Sequence, residues 1–190
     1  MPIVPARHVR LVPILALVCA ATGVSAQNAG PAPAMPMDMA QAPCPATPAT
    51  LPPEFSAWTN ATPVAAAATP ADLAAATIEP GHGVQATLTP AARITYPVVP
   101  GHPGEPGTSG GLFAFAVSQA GNYRVALGAG AWIDVVRDKH AIASTAHGHG
   151  PACSAIRKTV DFALAPGRYL LEVSGNRAPT LALMIAVVPH

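Results

Sequence analysis

From Leu112 onward the chain is a succession of short runs rich in β-branched and aromatic residues: LFAFAVS (112–118), YRVALGA (123–129), WIDVVRD (132–138), AIAST (141–145), TVDFALA (159–165), RYLLEVS (168–174) and TLALMIAVV (180–188). The turn-forming stretches QAGN, DKH, PG and GNRAP separate most of them at close intervals. Many short strands with frequent turns predict an all-β fold, an antiparallel β-sandwich or jelly roll.

Side chains alternate across a strand with period two. Phe113, Phe115 and Val117 therefore share one face, as do Tyr123, Val125 and Leu127. In the next run Trp132 and Asp134 point one way, and Ile133 and Val135 the other. Upstream, VQATLT (84–89) and RITYPVV (93–99) also read as strands, while proline and glycine in PGHPGEPGTSGG (100–111) predict an irregular segment. In residues 54–80, Phe55 and Trp58 look like anchors for the domain edge. TPADLAAA (69–76) fits either a short helix, with Thr69 as N-cap and Pro70 at the first helical position, or an extended run.

The N-terminus predicts export. Arg7, His8 and Arg10 precede the apolar LVPILALVCAA (11–21), and VSA (24–26) supplies the small residues of a cleavage site after Ala26. The apolar run is shorter than the roughly 20 residues a membrane span needs. The expected organisation is a signal peptide over 1–26, a Pro/Ala-rich disordered linker over 27–53 and a β-sandwich domain over 54–190, in a periplasmic or secreted protein without a transmembrane segment in its mature chain. That mature chain has eight Lys/Arg against nine Asp/Glu, a formal charge of −1. So few charges leave no electrostatic footprint for nucleic acid. Partners are expected instead among proteins or small molecules of the cell envelope. Cleavage removes Cys19 and leaves Cys44 and Cys153. In an oxidising compartment the simplest use of two cysteines is a disulfide, and a pair of metal-ligating thiolates is the alternative.

STAHGHGPACSAIRK (144–158) carries the densest chemistry. His147 and His149 lie one residue apart in a Gly/Pro-rich loop, and His140 and His102 are candidates for a third and fourth ligand. With Asp134 or Asp138 such a set suits Zn(II), Cu(II) or Fe(II). The competing reading is an exposed polar loop tied down by Cys153. Met35, Met37 and Met39 in the linker offer thioethers for Cu(I), or are merely part of a compositionally biased segment. Ser144 and Ser154 lie near histidines but outside any Gly-x-Ser-x-Gly elbow, and the sequence has neither a phosphate loop with lysine nor a CxxC pair. Asp134 and Asp161 read as mid-strand carboxylates paired with Arg124 or Lys158.

Two segments echo each other: VSQAGNYRVAL and LAPGRYLLEV each read as strand, turn, Gly-x-Tyr, strand, that is, as two hairpins. They resemble the Gly-x-Tyr hairpins of pre-peptidase C-terminal-like β-sandwich domains of secreted bacterial proteins. The longer stretch from GNYRVALGAG to ALAPGRY is similar to a group of short exported proteins of sphingomonad-type alphaproteobacteria whose family label is homogentisate 1,2-dioxygenase. That resemblance implies an Fe(II)-dependent dioxygenase. Established enzymes of that name are longer and cytosolic, and hold iron on a cupin with two histidines and a glutamate. Here the nearest acid after His149 is Asp161, so the resemblance assigns no iron ligand. Three functional classes follow: a non-catalytic binding or accessory module, a periplasmic copper- or zinc-binding protein using His147 and His149, and the dioxygenase.

Overall fold

The computed structural model describes Cys44 and residues 50–189. The expected signal peptide and the methionines of the linker lie outside these residues. The described chain is a β-sandwich of two sheets. The strands are β1 (Thr62–Ala65), β2 (Gly83–Thr87), β3 (Thr89–Pro90), β4 (Ser109–Val117), β5 (Gly121–Leu127), β6 (Trp132–Arg137), β7 (His140–Ile142), β8 (Ala146–Gly148), β9 (Lys158–Leu164), β10 (Gly167–Asn176) and β11 (Thr180–Val187). Sheet A has the order β1-β2-β11-β5-β9-β8, and sheet B the order β3-β4-β10-β6-β7. Every strand pair is antiparallel except β1–β2. Among the described residues no helix is long and apolar enough to cross a membrane.

Period-two alternation builds the core. Phe113, Phe115 and Val117 of sheet B meet Tyr123, Val125 and Leu127 of sheet A, all buried, and Ile133 and Val135 join them. Burying each such side chain contributes roughly 1.5–3 kcal/mol, so this shared face dominates the fold's stability.

The two Gly-x-Tyr segments are not hairpins. β4 belongs to sheet B and β5 to sheet A, and β9 belongs to sheet A and β10 to sheet B. Each segment is therefore a corner at which the chain changes sheets. At both corners the tyrosine hydroxyl donates to the carbonyl four residues upstream: Tyr123 to Gln119 at 2.9 Å and Tyr169 to Ala165 at 2.8 Å. The hydrogen bond satisfies a hydroxyl whose ring is buried, and it ties the turn to the strand it feeds.

Four local expectations are corrected. Residues 93–99 form no strand. After a 3-10 turn at Ala91–Arg93 the chain leaves the sheet, because Pro90, Pro97 and Pro100 lack the N–H a ladder requires. Residues 141–145 are not one strand: β7 ends at Ile142, the chain crosses to the other sheet, and β8 begins at Ala146. In the segment expected to be irregular, Ser109–Gly111 already belong to β4. A Cβ at Gly110 would collide with the Val173 carbonyl and the Tyr96 hydroxyl, so glycine is what lets the chain pass there. Residues 70–75 form a 3-10 helix in which the Thr69 hydroxyl donates to the Asp72 carboxylate at 2.7 Å instead of capping the backbone.

The outer faces of both sheets are covered. Phe55 and Trp58 pack on Ala126, Met184 and Ala186 of sheet A, together with Ile156. Glu54, from the same segment, lies 3.7 Å from Arg124, which also makes a two-pronged pair with Asp161 at 2.7 Å. Residues 94–102 form a strap over the outer face of sheet B. Tyr96 donates to the Val173 carbonyl (2.8 Å), Val98 N to Glu172 (3.2 Å) and Gly101 N to Asp134 (3.1 Å), and Ser174 donates to the His102 carbonyl (2.6 Å). A disulfide joins Cys44 to Cys153, with Cα atoms 5.3 Å apart.

Candidate functional site

The register creates a gap. β7 pairs only with Val135–Arg137, so Trp132, Ile133 and Asp134 run on without a partner from it. β8 is likewise only three residues long and leaves the facing edge of sheet A short. Between these edges lies a cavity of about 560 Å³ lined by Trp132, Ile133, Ile142, His147, Lys158, Phe162 and neighbouring residues. Its walls are mostly apolar, and its polar groups are few: Asp134, Ser144, His147 and Lys158. A pocket with this composition is the usual form of a small-molecule site.

Lys158 has the parity of a core residue. It opens β9, and the residues two and four further on, Val160 and Phe162, are buried. Its ammonium reaches across to sheet B, where it donates to the Ala131 carbonyl at 2.9 Å and sits 5.1 Å from the centre of the Trp132 ring. Burial pushes its pKa below the ordinary value, because the charged form loses hydration; the Asp134 carboxylate acts in the opposite direction. Trp132 is held from three sides: its indole N–H donates to Asp134 at 2.9 Å, the His102 ring meets it edge-on at 4.7 Å, and the backbone of Gly101 lies against it. A tryptophan that is 36% exposed is thus fixed in orientation at the cavity mouth.

The four sequence-predicted histidines have different surroundings. His147 is in the middle of β8 opposite Val160, and it lines the cavity. His149, just past β8, has Nδ1 3.2 Å from the Arg157 carbonyl. His140 opens β7 with Nδ1 2.7 Å from the Asp138 carbonyl. His102 packs on Trp132. Among the described residues no three or more His, Cys, Asp or Glu side chains are grouped as metal ligands. The described residues therefore do not assemble the two-histidine, one-carboxylate set that Fe(II) would need. Asp161 pairs with Arg124, as its position in the strand suggests, whereas Asp134 accepts from Gly101 and Trp132.

Sequence reasoning missed the cavity and the role of Lys158. A cation at inward parity with Val160 and Phe162 was the available signal. It also missed Glu172, which is 1% exposed beneath the strap. Its Oε1 accepts from Val98 N, and its Oε2 has no partner. Burial raises its pKa to about 7, the Val98 hydrogen bond opposes the rise, and Asp134, opposite it on β6, adds to it. Tyr96 above it is raised to about 12 by burial and by Glu172. No known protein family, curated protein or solved structure matches the chain.

Proposed function

We propose that this chain is an exported, non-catalytic binding module whose ligand enters the cavity between β6–β7 and β8–β9. The observation that carries this reading is a cavity of about 560 Å³ with apolar walls, a fixed indole at its mouth and a single lysine reaching across it. The arrangement suits holding a small molecule: it combines apolar area with a few oriented polar groups. Export is supported by the signal-like residues 1–26. The resemblance of the Gly-x-Tyr segments to pre-peptidase C-terminal-like domains agrees with an accessory role.

Nile red, an uncharged dye that brightens in apolar surroundings, tests the site. Its fluorescence should rise on addition of the full mature chain. Ala143→Trp, which places a bulky side chain at an exposed position of the cavity wall, should abolish the rise while leaving the far-UV circular dichroism unchanged. No enhancement, or an enhancement indifferent to Ala143→Trp, would remove the cavity as a binding site.

A further inference from the structure

The cavity's charges point to the kind of ligand it takes. Among its lining residues Lys158 is the one Lys or Arg. An ammonium has three N–H donors. One of Lys158's goes to the Ala131 carbonyl, and among the described residues no carboxylate lies within 4.0 Å of the ammonium. Two donors are therefore left for something else, with the centre of the Trp132 ring 5.1 Å from the ammonium. Asp134, the acid of the same cavity, is engaged differently: its Oδ2 already accepts from Gly101 N at 3.1 Å and from the Trp132 indole at 2.9 Å. His147 and Ser144 add hydrogen-bonding groups at the wall. The apolar part of the lining includes Ile142, Val160 and Phe162.

Resting on the cavity as the binding site, we infer that its ligand is a monocarboxylate with an apolar body, whose carboxylate pairs with Lys158 and whose body lies along Ile142, Val160 and Phe162. Asp134 already offsets the charge of Lys158, so the ligand carboxylate is held by the free N–H donors of the ammonium and each further negative charge is disfavoured. A dianion such as a phosphate monoester would therefore bind more weakly than a monoanion. An amine would meet Lys158 as a like charge. In a partly desolvated site, pairing a carboxylate with an ammonium by charge-assisted hydrogen bonds strengthens both.

Three ligands of one chain length separate the contributions: octanoate, octanol and octylamine, titrated by calorimetry into the full mature chain. Octanoate should bind with a Kd at least about tenfold lower than octanol, and octylamine should bind worst; tenfold corresponds to about 1.4 kcal/mol. Lys158→Met should erase the advantage of octanoate over octanol. Lys158→Arg, which keeps the charge, should retain most of it. Octanoate no tighter than octanol in wild type, or an advantage that survives Lys158→Met, would overturn the carboxylate inference while leaving the cavity a binding site. Failure of all three ligands, together with no Nile red response, would overturn the binding reading itself.

Discussion

The two outer faces of the sandwich are closed in opposite ways. On sheet A the cover is mainly apolar: Phe55 and Trp58 lie on Ala126, Met184 and Ala186, with Glu54 beside Arg124 at its margin, and the disulfide joins Cys44, nine residues before Pro53, to the loop beside Ile156. On sheet B the cover is polar. The strap 94–102 is held by hydrogen bonds to Val173, Glu172, Asp134 and Ser174, with a carboxyl buried beneath it. Apolar closure is insensitive to pH and grows with area, whereas polar closure depends on every group being paired or neutral. The cavity lies beside the polar face, where the strap backbone and His102 support Trp132. The difference teaches that sheet A's cover contributes mainly stability, while sheet B's contributes orientation at the site.

The largest effects are expected on sheet A. Phe55 is 2% exposed and lies in one buried cluster with Met184, so Phe55→Ala should cost about 3–5 kcal/mol in urea denaturation. A loss below about 1 kcal/mol would show that the segment sits only loosely on the sheet. Next comes the disulfide, which spans 109 residues in sequence. Replacing both cysteines with serine should cost about 2–4 kcal/mol, because the unfolded chain regains the freedom the link removes. An unchanged denaturation midpoint would contradict this.

Sheet B predicts a pH dependence in the range from about 4.5 to about 7. Glu172 titrates near 7 in the folded chain, against an ordinary value of 4.5. Between those two values the folded state holds a proton that the unfolded state has released, so stability falls as pH rises from about 4.5 to about 7. Below the window both states are protonated and the contribution is complete; above it the contribution is gone. The charged or titratable groups facing Glu172 are Asp134 across the strand and Tyr96 in the strap. Asp134 disfavours ionisation, and Tyr96 stays neutral throughout this range. The whole effect is about 3 kcal/mol. Glu172→Gln should flatten the decline between pH 5 and 8, measured as the difference in unfolding free energy between variant and wild type. A difference that does not change with pH would show that the carboxyl is not neutral beneath the strap.

These contrasts also show which features were legible in the sequence. The core strands were, because period-two alternation at Phe113, Phe115, Tyr123, Val125, Ile133 and Val135 is a local signal that burial follows directly. Phe55 and Trp58 were legible as edge anchors for the same reason: large apolar side chains beside a polar stretch need a surface to cover. The strap was misread as a strand because Ile94, Tyr96 and Val98 alternate in either case, and only the three prolines argue against a ladder. The cavity could not be read locally. It arises from register, where β6 outruns β7 and faces a short β8, and register is a relation between distant residues. The candidate histidines were grouped by spacing, yet strand direction and crossover gave each different neighbours.

The smallest predicted effects compare the two tyrosine corners, one opening β5 of sheet A and the other β10 of sheet B. Tyr123 and Tyr169 are both buried, and each donates to the carbonyl four residues upstream. Replacing either with phenylalanine keeps the ring and removes that bond, so each should cost about 1 kcal/mol. The corners differ in one partner. On sheet B the Arg137 guanidinium donates to the Tyr169 hydroxyl at 3.1 Å and lies 5.4 Å from the ring centre. Arg137 is partly exposed, so water replaces most of what the lost acceptor provided, and the ring contact survives in phenylalanine. Tyr169→Phe should therefore exceed Tyr123→Phe by no more than about 0.5 kcal/mol. In a double-mutant cycle with Arg137→Ala, only the Tyr169 change should show coupling. Equal coupling of Arg137 to both tyrosines would contradict the polar character assigned to the sheet B corner. Coupling well above 1 kcal/mol at Tyr169 would mean that Arg137 is shielded from water there, which would make this corner a second point of polar closure on sheet B.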